Sequence, residues 1–66
     1  MIILSDNNNI MVAEVSENLT AVWFKFSKNA ICRKKSNGSI IHNSIDINSE
    51  AKFEYQIEAW KQLEIK

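Results

Sequence analysis

Few groups in this chain could do chemistry. Its 66 residues include one His, one Cys and one Tyr, and no glycine-rich loop that could cradle a phosphate. Cys32 and His42 would be the nucleophile and base of a thiol hydrolase, but that chemistry needs both on one side of the element that carries them. Both fall in strand-like segments, and the register worked out below sends them to opposite faces. Cys32 therefore reads as a small core residue. A metal site takes three or four ligands, and one His with scattered carboxylates does not supply them. Glu50, Glu54 and Glu58 recur every four residues. They form a solvated acidic edge of a helix, or a docking edge for a basic partner or for the chain's own basic middle. Paired-carboxylate catalysis would need a cleft that so small a domain does not provide. The expectation is a protein that is not an enzyme, with no catalytic residues, cofactor, metal or small-molecule substrate.

Hydrophobic patterning defines the elements that would position any binding surface. The densest aromatic and β-branched run, Thr20-Ala21-Val22-Trp23-Phe24-Lys25-Phe26, has the period of a strand. Strands are expected over residues 2–4, 10–15, 20–26, 30–35 and 40–47. The turns between them are Asp6–Asn9, Glu17-Asn18, Ser27–Asn29 with Asn29 left-handed, and Asn37-Gly38 as a two-residue type I′ hairpin. After Asn48-Ser49 the composition turns to Glu, Ala, Lys, Gln and Leu, which favour helix. Asn48 or Ser49 can cap it, with Glu50 in the first turn. Phe53, Ile57, Trp60 and Leu63 fall on one helical stripe. Phe53, Tyr55, Ile57 and Ala59 also alternate as a strand would, but Trp60 breaks that alternation, so a helix is expected over about 49–64. The fold class that follows is α+β: an antiparallel β-meander of four to five strands with one C-terminal amphipathic helix packed on one sheet face, in a single domain spanning residues 1–66.

The turns fix a register. A two-residue Asn37-Gly38 loop sets Arg33 opposite His42, Lys34 opposite Ile41 and Cys32 opposite Asn43. A three-residue Ser27–Asn29 loop sets Phe26 opposite Ala30, Phe24 opposite Cys32 and Trp23 opposite Arg33. A Glu17-Asn18 turn sets Val15 opposite Thr20, Val22 opposite Ala13 and Trp23 opposite Val12. The expected core face is Met11, Ala13, Val15, Val22, Phe24, Phe26, Ala30, Cys32, Ile41 and Ile45. The other face holds Ile10, Val12, Trp23, Lys25, Ile31, Arg33, Lys35, Ile40, His42 and Ser44, with Glu14 at its edge as the one acid.

Composition places the chain. Hydrophobic residues are 45% and charged residues 24% of it, ordinary for a globular protein. A single Cys allows no intrachain disulfide. Met1-Ile-Ile-Leu is too short to serve as a signal peptide, and no apolar run reaches the roughly 18 residues of a membrane span. A cytoplasmic protein without membrane contact is expected, so the Asn-x-Ser/Thr matches at Asn18 and Asn37 carry no glycan. The net charge is zero but divided: no acid lies between Glu17 and Asp46, a segment holding Lys25, Lys28, Arg33, Lys34 and Lys35. That basic middle is either presented as a surface or neutralised by the acidic remainder.

The second sheet face is the candidate site. Its expected contacts are Trp23 as anchor, Lys25, Arg33 and Lys35 as charged flank, and Ile31, Ile40 and His42 between them. Trp and Arg dominate many protein interfaces, and a contiguous apolar patch on a small soluble chain marks a contact. The expected function is a small intracellular protein-binding module. It would act as a regulator or inhibitor by occupying the surface of a partner protein or of a second copy, as small proteins of viruses and mobile elements do. The alternative is single-stranded nucleic-acid binding, with bases stacked on Trp23 and phosphates met by Lys25, Arg33 and Lys35. The blandest reading leaves Arg33 stacked on Trp23 as an exposed cross-strand pair.

Overall fold

The computed structural model describes residues 1–64. Strands β1 (Ile2–Asp6), β2 (Ile10–Glu14), β3 (Leu19–Phe24), β4 (Asn29–Lys34) and β5 (Ile40–Ile45) form one antiparallel sheet in chain order, followed by helix α1 (Glu50–Glu64). The expected α+β meander with a C-terminal helix is the observed architecture. The start of α1 follows from capping. The Lys52 amide donates to Ser49 Oγ at 3.2 Å, and Glu50 sits in the first turn, where a negative charge suits the helix dipole. The β1–β2 turn is an Asx turn, in which the amides of Asn9 and Ile10 both donate to Asn7 Oδ1.

The strand register differs from the expected one, and the loops explain why. The β3–β4 connection is four residues, Lys25 to Lys28. The Lys28 amide donates to the Phe24 carbonyl at 2.9 Å, and Lys28, not Asn29, takes the left-handed conformation at φ 57°. The β4–β5 connection repeats the device over Lys35 to Gly38. There the Gly38 amide donates to the Lys34 carbonyl at 2.8 Å, with Gly38 at φ 73°. A type I′ turn would need positive φ at Asn37 as well, and Asn37 does not have it. The β2–β3 turn is also one residue longer than expected, pairing Val12 with Val22.

Trp23 therefore lies opposite Met11 and Ala30 rather than Val12 and Arg33. Both changes are odd numbers of residues, so β3 turns over relative to its neighbours. The β4–β5 register slips by one as far as Cys32, which pairs with His42, and by two beyond a bulge, where Arg33 pairs with Ile40.

On the helix side, Ala13, Ala21, Cys32 and His42 form one cross-strand row, and Met11, Trp23, Ala30 and Ser44 form another. Ala13, Ala21, Ala30 and Cys32 are wholly buried, and Phe53, Ile57 and Trp60 of α1 descend onto them. Large side chains of the helix meet small ones of the sheet, which is how the two layers approach closely. Val22, Phe24 and Ile45, expected in this core, are on the other face, where Val22 is nonetheless buried, and Phe26 is an exposed loop residue at 83% accessibility. Ile41 lies at the bulge, partly exposed.

Candidate functional site

Turning β3 over moves the expected anchor. Trp23 is buried beneath α1, its indole Nε1 donating to the Ile47 carbonyl at 2.6 Å and its ring stacked on Phe53 with centroids 5.6 Å apart. It is a core residue with its polar atom satisfied. Lys25 follows it to the helix side, where its ammonium lies 5.7 Å from the Trp23 ring centroid and 2.7 Å from an Asp6 carboxylate oxygen. His42 is on that side too, stacked on Trp60. Trp23, Lys25 and His42 are thus not part of the uncovered face, for one reason: the odd-numbered slips in β3 and β5.

The uncovered face keeps Ile31, Arg33, Lys35 and Ile40 of the expected set and gains others. Three rows cross it: Ile10, Phe24, Asn29 and Ile45; Val12, Val22, Ile31 and Asn43; Glu14, Thr20, Arg33 and Ile40. The first two rows are mainly apolar. Nothing in α1 covers them, since the helix packs on the opposite side.

The third row is the polar end. Lys35 Nζ lies 2.8 Å from Glu14 Oε1, and Arg33 Nε donates to the Gly38 carbonyl at 3.2 Å. The Arg33 guanidinium lies against Gly38 so closely that a Cβ there would sit 2.8 Å from Nη2. Glycine suits this position because of its left-handed φ, and a side chain there would displace the Arg33 guanidinium. A hollow of about 330 Å³ opens at this end, lined by Val12, Thr20, Val22, Arg33, Lys34, Lys35 and Gly38. Its floor is aliphatic and its wall cationic.

The residues missed from the sequence are Thr20, Val22, Phe24 and Ile45. Their signal was Ala21. Two small buried residues already assigned to the helix side, Ala13 and Cys32, are its cross-strand partners, and a row of small residues is what a helix carrying Phe53 and Trp60 needs.

The register also makes Cys32 and His42 direct cross-strand partners, where opposite faces were expected. Among the described residues no side-chain hydrogen bond joins them. Burial, and then the negative charge of Glu64, push the Cys32 thiol up from 9.0 to about 11. A nucleophilic thiol needs the opposite shift. Among the described residues no three His, Cys, Asp or Glu side chains cluster as a metal site, and no helix is long and apolar enough to cross a membrane. Compared with known proteins, the chain matches no family model, no curated protein and no solved structure.

Proposed function

We propose that this protein is a small non-enzymatic binding module of the cytoplasm, a regulator or inhibitor that occupies a partner protein's surface with its uncovered sheet face. The observation that carries this reading is the pair of apolar rows, Ile10–Phe24–Ile45 and Val12–Val22–Ile31, which α1 does not cover; Ile45 is exposed, Ile10, Phe24, Val12 and Ile31 are half-buried, and Val22 is buried among its neighbours. A sheet face of this composition is normally packed against something. The partner's chemistry follows from the polar end. Apolar side chains of the partner lie on the two rows, and a carboxylate meets Arg33 beside the hollow, because Glu14, the only acid in the three rows, is already held by Lys35.

A single-stranded nucleic acid fits less well. Phe24 is the one aromatic residue in the rows, Lys25 is on the other side with Asp6, and Lys35 is tied to Glu14.

The test is capture of a protein from cell extract by wild type, Ile31→Asp, Arg33→Glu and, as a control on the outer side of α1, Glu58→Lys. Loss of the captured protein with both sheet-face variants, at unchanged circular dichroism, and retention with Glu58→Lys is the expected result. Capture that survives Ile31→Asp overturns the reading. So does tight binding of a short oligonucleotide whose affinity falls with salt at a log–log slope of roughly −0.7 per phosphate.

A further inference from the structure

The outer edge of β5 is a second surface, separate from the uncovered face. β5 has one hydrogen-bonded neighbour, β4, and among the described residues no strand pairs with its other side. Proteins guard such edges with lysine, proline or inward-pointing charge. The sequence Ile40-Ile41-His42-Asn43-Ser44-Ile45 contains no Lys, Arg, Asp, Glu or Pro. Ile40 and Ile45 are 60% and 72% exposed. Exposed apolar surface continues into the helix layer. Gln56 reaches Ser44 Oγ at 2.8 Å, so this side of α1 overhangs β5, and Leu63, two turns further along the same side, is 56% exposed. The other edge, β1, also carries a bulge, between Ile3 and Ser5 as β5 does at Ile41, and also exposes apolar side chains (Ile2, Ile3 and Leu4), but it ends in a charged residue, Asp6, which is paired with Lys25.

We infer that β5 pairs antiparallel with β5 of a second copy, joining two five-stranded sheets into one of ten strands. The partner is a second copy because the strand complements itself. Antiparallel partners share a face, so Asn43 can lie opposite Asn43 of the partner subunit. This register sets Ile41 against the partner's Ile45 and His42 against the partner's Ser44, each twice. Asn43 and Ile45 then lie on the uncovered face, His42 and Ser44 on the helix side and Ile41 at the bulge, and no like charges are opposed. A two-fold arrangement closes after two chains, whereas β1 on β5 would propagate without end. The uncovered sheet faces and the Arg33 ends stay free in the pair.

Molar mass by light scattering over a range of concentrations tests this with wild type and Asn43→Lys, which opposes two ammonium groups at the axis. Twice the chain mass for wild type, and the chain mass for a folded Asn43→Lys, is expected. A second measurement does not rely on that variant: Asn43→Cys should oxidise to a disulfide-linked pair, since antiparallel partners sit within disulfide reach. Ser5→Cys on β1 should not, and buried Cys32 does not compete. A wild type that stays a monomer into the hundreds of micromolar overturns the inference. So does a dimer unaffected by Asn43→Lys, or cross-linking as fast through Ser5→Cys. Ile31→Asp should remain dimeric while losing partner capture, so failure of this inference and failure of the proposed function are read separately.

Discussion

Trp23 concentrates the consequences of the fold in one side chain. Its ring fills the space under Phe53, and its indole N–H satisfies the Ile47 carbonyl where the chain enters α1. Trp23→Ala removes both, leaving a cavity and an unpaired carbonyl, and should cost about 3–5 kcal/mol. In a domain near the lower size limit for independent folding, that leaves little native protein. Trp23→Phe keeps an aromatic ring in the core but loses the hydrogen bond and the second ring of the indole, so its cost should be smaller, about 1–3 kcal/mol. Urea denaturation of the two variants distinguishes this from the exposed-anchor placement, under which both would be near neutral.

Cys32 makes a pH-dependent prediction. Its thiol is raised from 9.0 to about 11 in the folded state, so the folded protein holds this proton when the unfolded chain has released it. The stabilisation is complete below pH 9 and is lost as pH rises toward 11, by up to roughly 2–3 kcal/mol. Stability profiles of wild type and Cys32→Ala should therefore converge across that window. Parallel profiles would assign the loss to other groups.

At the level of elements, the two long hairpins share one loop. Each has four residues, an amide of the fourth donating back to the carbonyl before the loop, and a left-handed residue at that fourth position. In one loop this residue is Lys28 and in the other Gly38, so substitutions there should act with opposite signs. Lys28→Gly relieves a strained conformation and should raise stability by about 0.5–1 kcal/mol, while Gly38→Ala introduces one and crowds Arg33, costing about 1–2 kcal/mol. Thermal melts of both variants check the pair.

The loops also show why the elements were legible in the sequence and their pairing was not. Strand and helix positions follow from local periodicity, and Ser49 and Glu50 announce the start of α1. Register depends on loop length, and Asn37-Gly38 suits either a two-residue turn or the end of a four-residue one. In β3 both faces are apolar, Leu19, Ala21 and Trp23 on one and Val22 and Phe24 on the other, so hydrophobicity alone could not choose between them. Volume does: the small side chain of Ala21 fits under the helix. Because β2 and β4 kept their faces, Ile31, Arg33 and Lys35 were placed correctly while Trp23 and Lys25 were not.

Across the whole molecule the charge division resolves locally. Lys25 pairs with Asp6 and Lys35 with Glu14, so the acids of the first two strands, not those of α1, answer part of the basic middle. Among the described residues no ion pair joins α1 to that segment; Glu58 pairs with Lys61 within the helix and Glu54 with the amino terminus. Such exposed pairs stabilise little, each about 0.2–1 kcal/mol, and serve more to leave Arg33 as the electrostatic feature of its end of the sheet.

Trp23 and Trp60, the two tryptophans of the chain, both lie in the layer between sheet and helix. Intrinsic emission consequently reports whether the helix is docked and is blind to the opposite surface. Ligand binding to that surface would leave the spectrum unchanged, and an observer relying on it would score a functional protein as inert. A reporter placed on β2 or β4 is the way to make that side visible.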